Sequence, residues 1–166
     1  MSIASNCRKD GPLKDDELSI KRMPYTGDTI RIDGYYYITL DNYLTVYFLY
    51  RDGTILYGST FPESELNEHE KEYNTSEWQS IVKQAKDYWG VLKIENNTIQ
   101  FERWYPSDPP LKSYVRAGTI LNDTTFIITE SYRMQDSKKT EVDSKNETYY
   151  FKQFTPKPDS TNSFVE

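Results

Sequence analysis

One cysteine, Cys7, and one histidine, His69, are all that 166 residues provide of the two most versatile metal-binding side chains. A lone cysteine excludes an internal disulfide and a thiolate metal cluster. The histidine lies between Glu68 and Glu70 in an acidic stretch, with no second imidazole to complete a zinc site and no nucleophile arranged for triad-type catalysis. It reads as a solvated loop residue. Glycine-rich phosphate cradles are missing as well, the seven glycines being scattered over turns and strand bends. No run approaches the ~20 apolar residues of a membrane-spanning helix. Basic excess is also lacking: 20 Lys and Arg against 26 Asp and Glu leave a formal charge of −6, no footprint for nucleic acid or an anionic membrane surface. Nothing in the pattern calls for a metal or a cofactor, and no catalytic constellation is present, so the sequence points away from an enzyme.

What the chain has in quantity is aromatic residues, with fifteen Tyr and seven Phe. Tyrosine suits a pleated surface with one wet side, because the ring buries area while the hydroxyl keeps a partner. The expectation is a mainly β protein in one domain. Period-2 alternation and turn dipeptides mark eight antiparallel strands between residues 32 and 154, enough to close an up-and-down barrel, with one α-helix inserted between strands 3 and 4. Residues 1–28 mix Lys, Asp, Gly, Pro and Ser and read as a disordered tether, residues 29–155 as the barrel, and the proline-containing residues 156–166 as a tail.

The first two strands, 32–40 and 44–50, are joined by either a two-residue or a three-residue loop around Asp41-Asn42-Tyr43. Three residues set Leu40, Ile38 and Tyr36 against Leu44, Val46 and Phe48, apolar to apolar, and are preferred. Asp52-Gly53 reads as a two-residue turn pairing Tyr50 with Ile55 and Phe48 with Tyr57. One face then carries Leu44, Val46, Phe48, Tyr50, Ile55, Tyr57 and Phe61. Residues 62–74 read as an exposed acidic loop, and 76–88 as a helix capped by Ser76 that buries Trp78, Ile81, Val82, Ala85 and Trp89. Asn96-Asn97 joins 89–95 to 98–104 with Ile94 against Ile99 and Leu92 against Phe101. Asn122-Asp123 joins 114–121 to 124–134, placing Val115, Ala117, Phe126, Ile128, Glu130 and Tyr132 inward.

The Gly34-Tyr35-Tyr36 opening, the run of hairpins, the segment from Gly118 to Phe126 and the closing Tyr149-Tyr150-Phe151-Lys152-Gln153-Phe154 resemble the lipocalin-like lipoproteins of Bacteroidetes. The resemblance covers roughly residues 30–160. It implies a calycin-type barrel with Tyr36 in the place of the tryptophan that plugs one end of a lipocalin, and location at the bacterial cell envelope, either lipid-anchored at the outer membrane or secreted. No activity comes with it. Ile3-Ala4-Ser5-Asn6-Cys7 resembles the end of a lipoprotein signal, which would make Cys7 a lipidation site and the lipid the chain's only membrane contact; the other reading is a lone cysteine in a polar N-terminus.

Tyr36, Phe48, Tyr50, Tyr57, Phe101, Arg103, Glu130, Tyr132, Tyr149 and Phe151 are the candidates to line an interior cavity for a small apolar or amphiphilic ligand. Arg103 and Glu130 either pair as a polar spot in that cavity or sit in water at the rim. The other reading is a packed structural or interaction module whose exposed aromatics, Tyr35, Tyr37, Tyr47 and Trp104, contact a protein or a glycan. Neither names a protein partner.

Overall fold

The computed structural model describes residues 13–106 and 109–166. Cys7 and the first twelve residues of the expected tether lie outside the described residues. Eight antiparallel strands form a closed barrel in which each pairs with its sequence neighbour: β1 (Gly34–Leu40), β2 (Tyr43–Leu49), β3 (Thr54–Pro62), β4 (Trp89–Glu95), β5 (Thr98–Tyr105), β6 (Lys112–Asn122), β7 (Thr125–Gln135) and β8 (Lys138–Gln153). Closure rests on four β1–β8 residue pairs, Gly34↔Gln153 to Tyr37↔Tyr150. Gly34 permits it: a Cβ there would stand 2.0 Å from the carbonyl oxygen of Lys152.

The first two hairpins correct the expected registers, and for one reason. Asp41 and Asn42 both take positive φ, 49° and 65°, and make a two-residue turn that pairs Leu40 with Tyr43 and Tyr36 with Tyr47. Gly53, at φ 83°, ends a three-residue loop instead of sharing a two-residue turn, so Phe48 faces Leu56 and Leu49 faces Ile55. Because side chains alternate, each one-residue slip exchanges the faces of β2. Tyr47 and Leu49 point into the barrel, while Leu44, Val46, Phe48 and Tyr50 point out. Ser59, at φ 88°, bulges β3 so that Ile55 and Tyr57 face in and Phe61 faces out.

The outward apolar face is buried because the β3–β4 connection folds over it. The expected loop at residues 62–74 contains a 3₁₀ turn (Glu63–Glu65) and α1 (Leu66–Glu72), followed by α2 (Ser76–Val82). Thr75, not Ser76, is the N-cap, its hydroxyl accepting from Trp78 N at 3.2 Å. The helical stripe expected to run through Trp89 breaks after Val82: Ile81 faces water, and Trp89 starts β4 with Nε1 donating to the Val82 carbonyl at 2.7 Å. Tyr73 packs edge-on against Phe48, ring centroids 5.1 Å apart, and its hydroxyl donates to the Gly58 carbonyl. Burying Phe48, Trp89 and Leu56 here contributes roughly 2–3 kcal/mol each.

Both terminal segments lie against this wall. Residues 15–20 bind it through Asp16, whose carboxylate takes two hydrogen bonds from Arg133, and through Glu102, fully buried on the outside of β5, which accepts from Ser19 N, Ser19 Oγ and Ile20 N. The stretch expected as tether through residue 28 is therefore part of the fold from Asp15 onward. Tyr25 and Ile30 plug the end carrying the β2–β3 and β6–β7 turns, with Tyr25 N bonded to Arg51 O and Arg31 N to Asp123 O. Tyr36 closes the same end, its hydroxyl donating to the carbonyls of Arg31 and Asp123. At the other terminus, Lys157 Nζ donates to the carbonyls of Ile32 (2.7 Å) and Leu49 and sits 4.2 Å over the Tyr50 ring. Among the described residues it has no carboxylate in an ion pair.

Substituting Gly34 with Ala should cost about 2–3 kcal/mol in urea unfolding, since backbone must move at the seam that closes the barrel. Gly27→Ala, where the added carbon meets the edge of the Tyr25 ring at 2.9 Å and no backbone atom, should cost less. Burial brings the Lys157 amine down from 10.5 to about 8. Between those values the unfolded chain holds a proton that the folded chain has released, so this group's contribution to stability rises with pH. Wild type should gain about 2 kcal/mol over Lys157→Met between pH 7 and pH 9.5, read from urea midpoints at the two pH values.

Candidate functional site

Fourteen buried residues drawn from all eight strands and the N-terminal plug meet in the barrel interior, and toward the plugged end they leave no room for a ligand. Phe126 stacks on Tyr149 at 4.9 Å, and Tyr36 packs on Phe126 and Phe151 at 5.0 and 5.4 Å. A hollow of ≈740 Å³ lies outside the barrel between residues 14–22 and the chain end at Phe164 to Glu166. The interior changes character only at the wide end, where the helical connection and the β1–β2, β5–β6 and β7–β8 connections gather.

There the inward positions of β5, β6 and β8 bring in charge. Arg103 is 4% exposed, and its guanidinium is fixed by Nε to the Tyr47 hydroxyl (3.2 Å) and by Nη1 to the carbonyls of Asp87 (2.8 Å) and Trp104 (2.9 Å). Three rings surround it, Tyr105 at 3.8 Å, Tyr57 at 4.1 Å and Tyr47 at 5.7 Å from centroid to guanidinium carbon. Among the described residues no carboxylate forms an ion pair with Arg103, and its Nη2 has no hydrogen-bond partner. Thr54 Oγ1 is the sole sealed, unpartnered side-chain polar atom of the described residues.

Arg116, across the strand pair on β6, donates from Nε to the Tyr105 hydroxyl (2.9 Å) and from Nη1 to Glu147 Oε2. The Tyr149 hydroxyl also donates to that oxygen, at 3.4 Å. Among the described residues, two guanidinium charges thus face one carboxylate, which leaves one positive charge amid tyrosines without an ion pair. Its field acts on Tyr105: burial pushes the phenol up, but Arg103 and Arg116 outweigh burial and bring it below the ordinary tyrosine value. Tyr47 and Tyr149, dominated by burial, are shifted upward. A site of this kind can hold an anion beside aromatic faces; among the described residues it has no nucleophile and base in mutual reach.

Of the residues expected to line the interior, Tyr36, Tyr57, Phe101, Arg103, Tyr149 and Phe151 do face it, the first and last in the packed end. Phe48 and Tyr50 are on the outer wall, through the register slips above, and Tyr50 donates its hydroxyl to the Pro158 carbonyl. Glu130 and Tyr132 are outside too. Register shifts in both ladders of β7 at residues 128–130 turn the strand over, leaving Glu130 paired with Lys139 at 2.6 Å and Tyr132 packed on Val115 and Ala117. The Arg103–Glu130 pair therefore does not exist. The expected outer aromatic platform does not form either, since Tyr35, Tyr47 and Trp104 are buried. His69 lies on α1, stacked on Phe61 at 3.8 Å with Glu65 and Glu72 beside it.

Tyr105, Arg116 and Glu147 were not among the expected residues. Tyr105 and Arg116 follow from alternation, being two positions from Arg103 on one strand and opposite Phe101 on the next. Glu147 carried no such signal, because the expected last strand began at 148.

A spectrophotometric titration at the tyrosinate band should show one phenol ionising below the ordinary value near 10, and Tyr105→Phe should remove that component alone. If every tyrosine titrates at or above 10, the two guanidiniums do not reach Tyr105 as described. Searched against protein families, curated proteins and solved structures, the chain matches none of them.

Proposed function

We propose that this barrel binds a small amphiphilic molecule at its wide end, with an anionic group of the ligand held by Arg103 and Arg116 and its apolar part laid against Tyr57, Tyr105 and neighbouring rings. The observation that carries this reading is the guanidinium of Arg103, nearly removed from water, which among the described residues has no carboxylate to neutralise it and one nitrogen without a hydrogen-bond partner. A buried cation without a counter-ion costs stability, whereas a bound anion turns that cost into affinity, and in a low-dielectric site the gain is larger than at a surface. Interior packing limits how deep the ligand goes. Rings fill the bore from Phe101 to the plugged end, so the site is a vestibule at the mouth rather than a long central cavity.

Two fluorescent probes of nearly equal shape separate charge from hydrophobicity: anilinonaphthalene sulfonate, an anion, and N-phenylnaphthylamine, its neutral relative. The sulfonate should bind the wild-type barrel at one equivalent and lose at least about tenfold in affinity in Arg103→Met, the expected loss for a charge-assisted contact. The neutral probe should be weak and unaffected. Equal binding of both probes, insensitive to Arg103, would remove the anion from the proposal.

A further inference from the structure

Within the vestibule, the place an incoming anion needs is already taken. Glu147 Oε2 accepts from Arg116 Nη1 and from the Tyr149 hydroxyl, the donor pair that an external oxyanion beside Arg103 would also use. The backbone under Glu147 is held on one side only. Pairing between β1 and β8 stops at Tyr37↔Tyr150, although β1 continues to Leu40, so Glu147 has no β1 partner. On its other side the β7 ladder changes register between Ile128↔Glu147 and Glu130↔Ser144, which leaves residues 145 and 146 as a bulge next to it. The side chain remains 14% exposed.

We infer that Glu147 is a built-in competitor for the ligand: its carboxylate occupies the oxyanion position beside Arg116 when the barrel is empty, and the ligand's carboxylate, sulfonate or phosphate takes that position as Glu147 turns out toward the seam between β1 and β8. This rests on the anion-binding reading above and adds to it a cost of admission. A ligand without a negative charge cannot replace what Arg116 loses when Glu147 leaves, so Glu147 acts as a specificity-determining residue that screens out neutral molecules. The bulge at residues 145 and 146 allows the exchange without unzipping the β7–β8 hairpin.

The test is Glu147→Gln, which keeps the shape and hydrogen-bonding capacity of the side chain but removes its charge. Anilinonaphthalene sulfonate should bind this variant about tenfold more tightly than wild type, still at one equivalent, while N-phenylnaphthylamine is unchanged. Adding Arg103→Met to Glu147→Gln should abolish the gain, which a loosened, generally sticky barrel would not show. If Glu147→Gln binds the sulfonate no better than wild type while Arg103→Met still weakens it, Glu147 is a structural partner of Arg116 and the competitor role is overturned. Sulfonate binding that ignores Arg103 in either background overturns the anion-binding reading instead. No binding to wild type or to Glu147→Gln overturns both.

Discussion

A guanidinium cannot leave water without an exchange of partners, and the wide end of this barrel is organised around that requirement. Arg103 trades its hydration for two backbone carbonyls, a phenol oxygen and the faces of three tyrosine rings. None of these is a carboxylate, so among the described residues the position is hydrogen-bonded without an ion pair. The carbonyl of Asp87 ties the site to the 3₁₀ turn (Lys86–Tyr88) that leads into β4, and the Tyr88 ring adds to the rim beside Tyr57. The helical connection therefore shapes the mouth as well as covering the outer wall.

The neighbouring residue shows how the same chain treats a buried charge that is meant only to hold structure. Glu102 follows one position earlier on β5 and so points to the opposite face, out of the barrel, where it is fully buried. Its two oxygens receive four hydrogen bonds, three from Ser19 and Ile20 and one from Ser113 Oγ at 2.9 Å. Every acceptor site that matters is occupied, and the N-terminal segment is fastened in the process. Among the described residues Arg103 keeps a nitrogen without a hydrogen-bond partner, whereas Glu102 is saturated. Two adjacent buried ions in one strand, one closed and one open, are the contrast on which the anion-binding proposal draws.

The architecture was legible in the sequence because strand period and hairpin rhythm are local properties, carried by many residues at once. The β4–β5 hairpin came out in the expected register, Ile94↔Ile99 and Leu92↔Phe101, since only one of its faces is strongly apolar. β2 did not, because Leu44, Val46 and Phe48 on one face and Tyr47 and Leu49 on the other are all apolar enough for a core. With both faces buried, apolar pattern cannot choose between registers, and the choice falls to turn geometry, where Asp41-Asn42 tolerates two positive φ values and Arg51-Asp52-Gly53 one. What buries the second face, a pair of short helices and two terminal segments, is tertiary, and its sequence signature is mostly polar. Arg103 was legible as an inward charge by counting from Ile99 and Phe101. The expected Glu130 partner was not, since the register shifts at residues 128–130 carried it outside, and Glu147, which faces in two positions before Tyr149 and pairs with Arg116, lay just ahead of the expected last strand.

The tyrosine excess gains a specific meaning from this arrangement. A bore lined with phenylalanine would bury area as well, but it would give a guanidinium only ring faces and no oxygen acceptors. A bore lined with carboxylates would neutralise Arg103 and leave nothing for a ligand to do. Tyrosine supplies an acceptor oxygen and a negative ring face without a full charge, which is the one aromatic chemistry able to hold a cation inside an apolar barrel and leave it cationic. Tyr47, Tyr57 and Tyr105 supply that chemistry from β2, β3 and β5, so Arg103 is framed from three strands while the phenylalanines, Phe101, Phe126 and Phe151, fill the bore and the plugged end below. The composition that first marked the chain as a β protein is thus also the composition that a buried cation without a carboxylate partner demands.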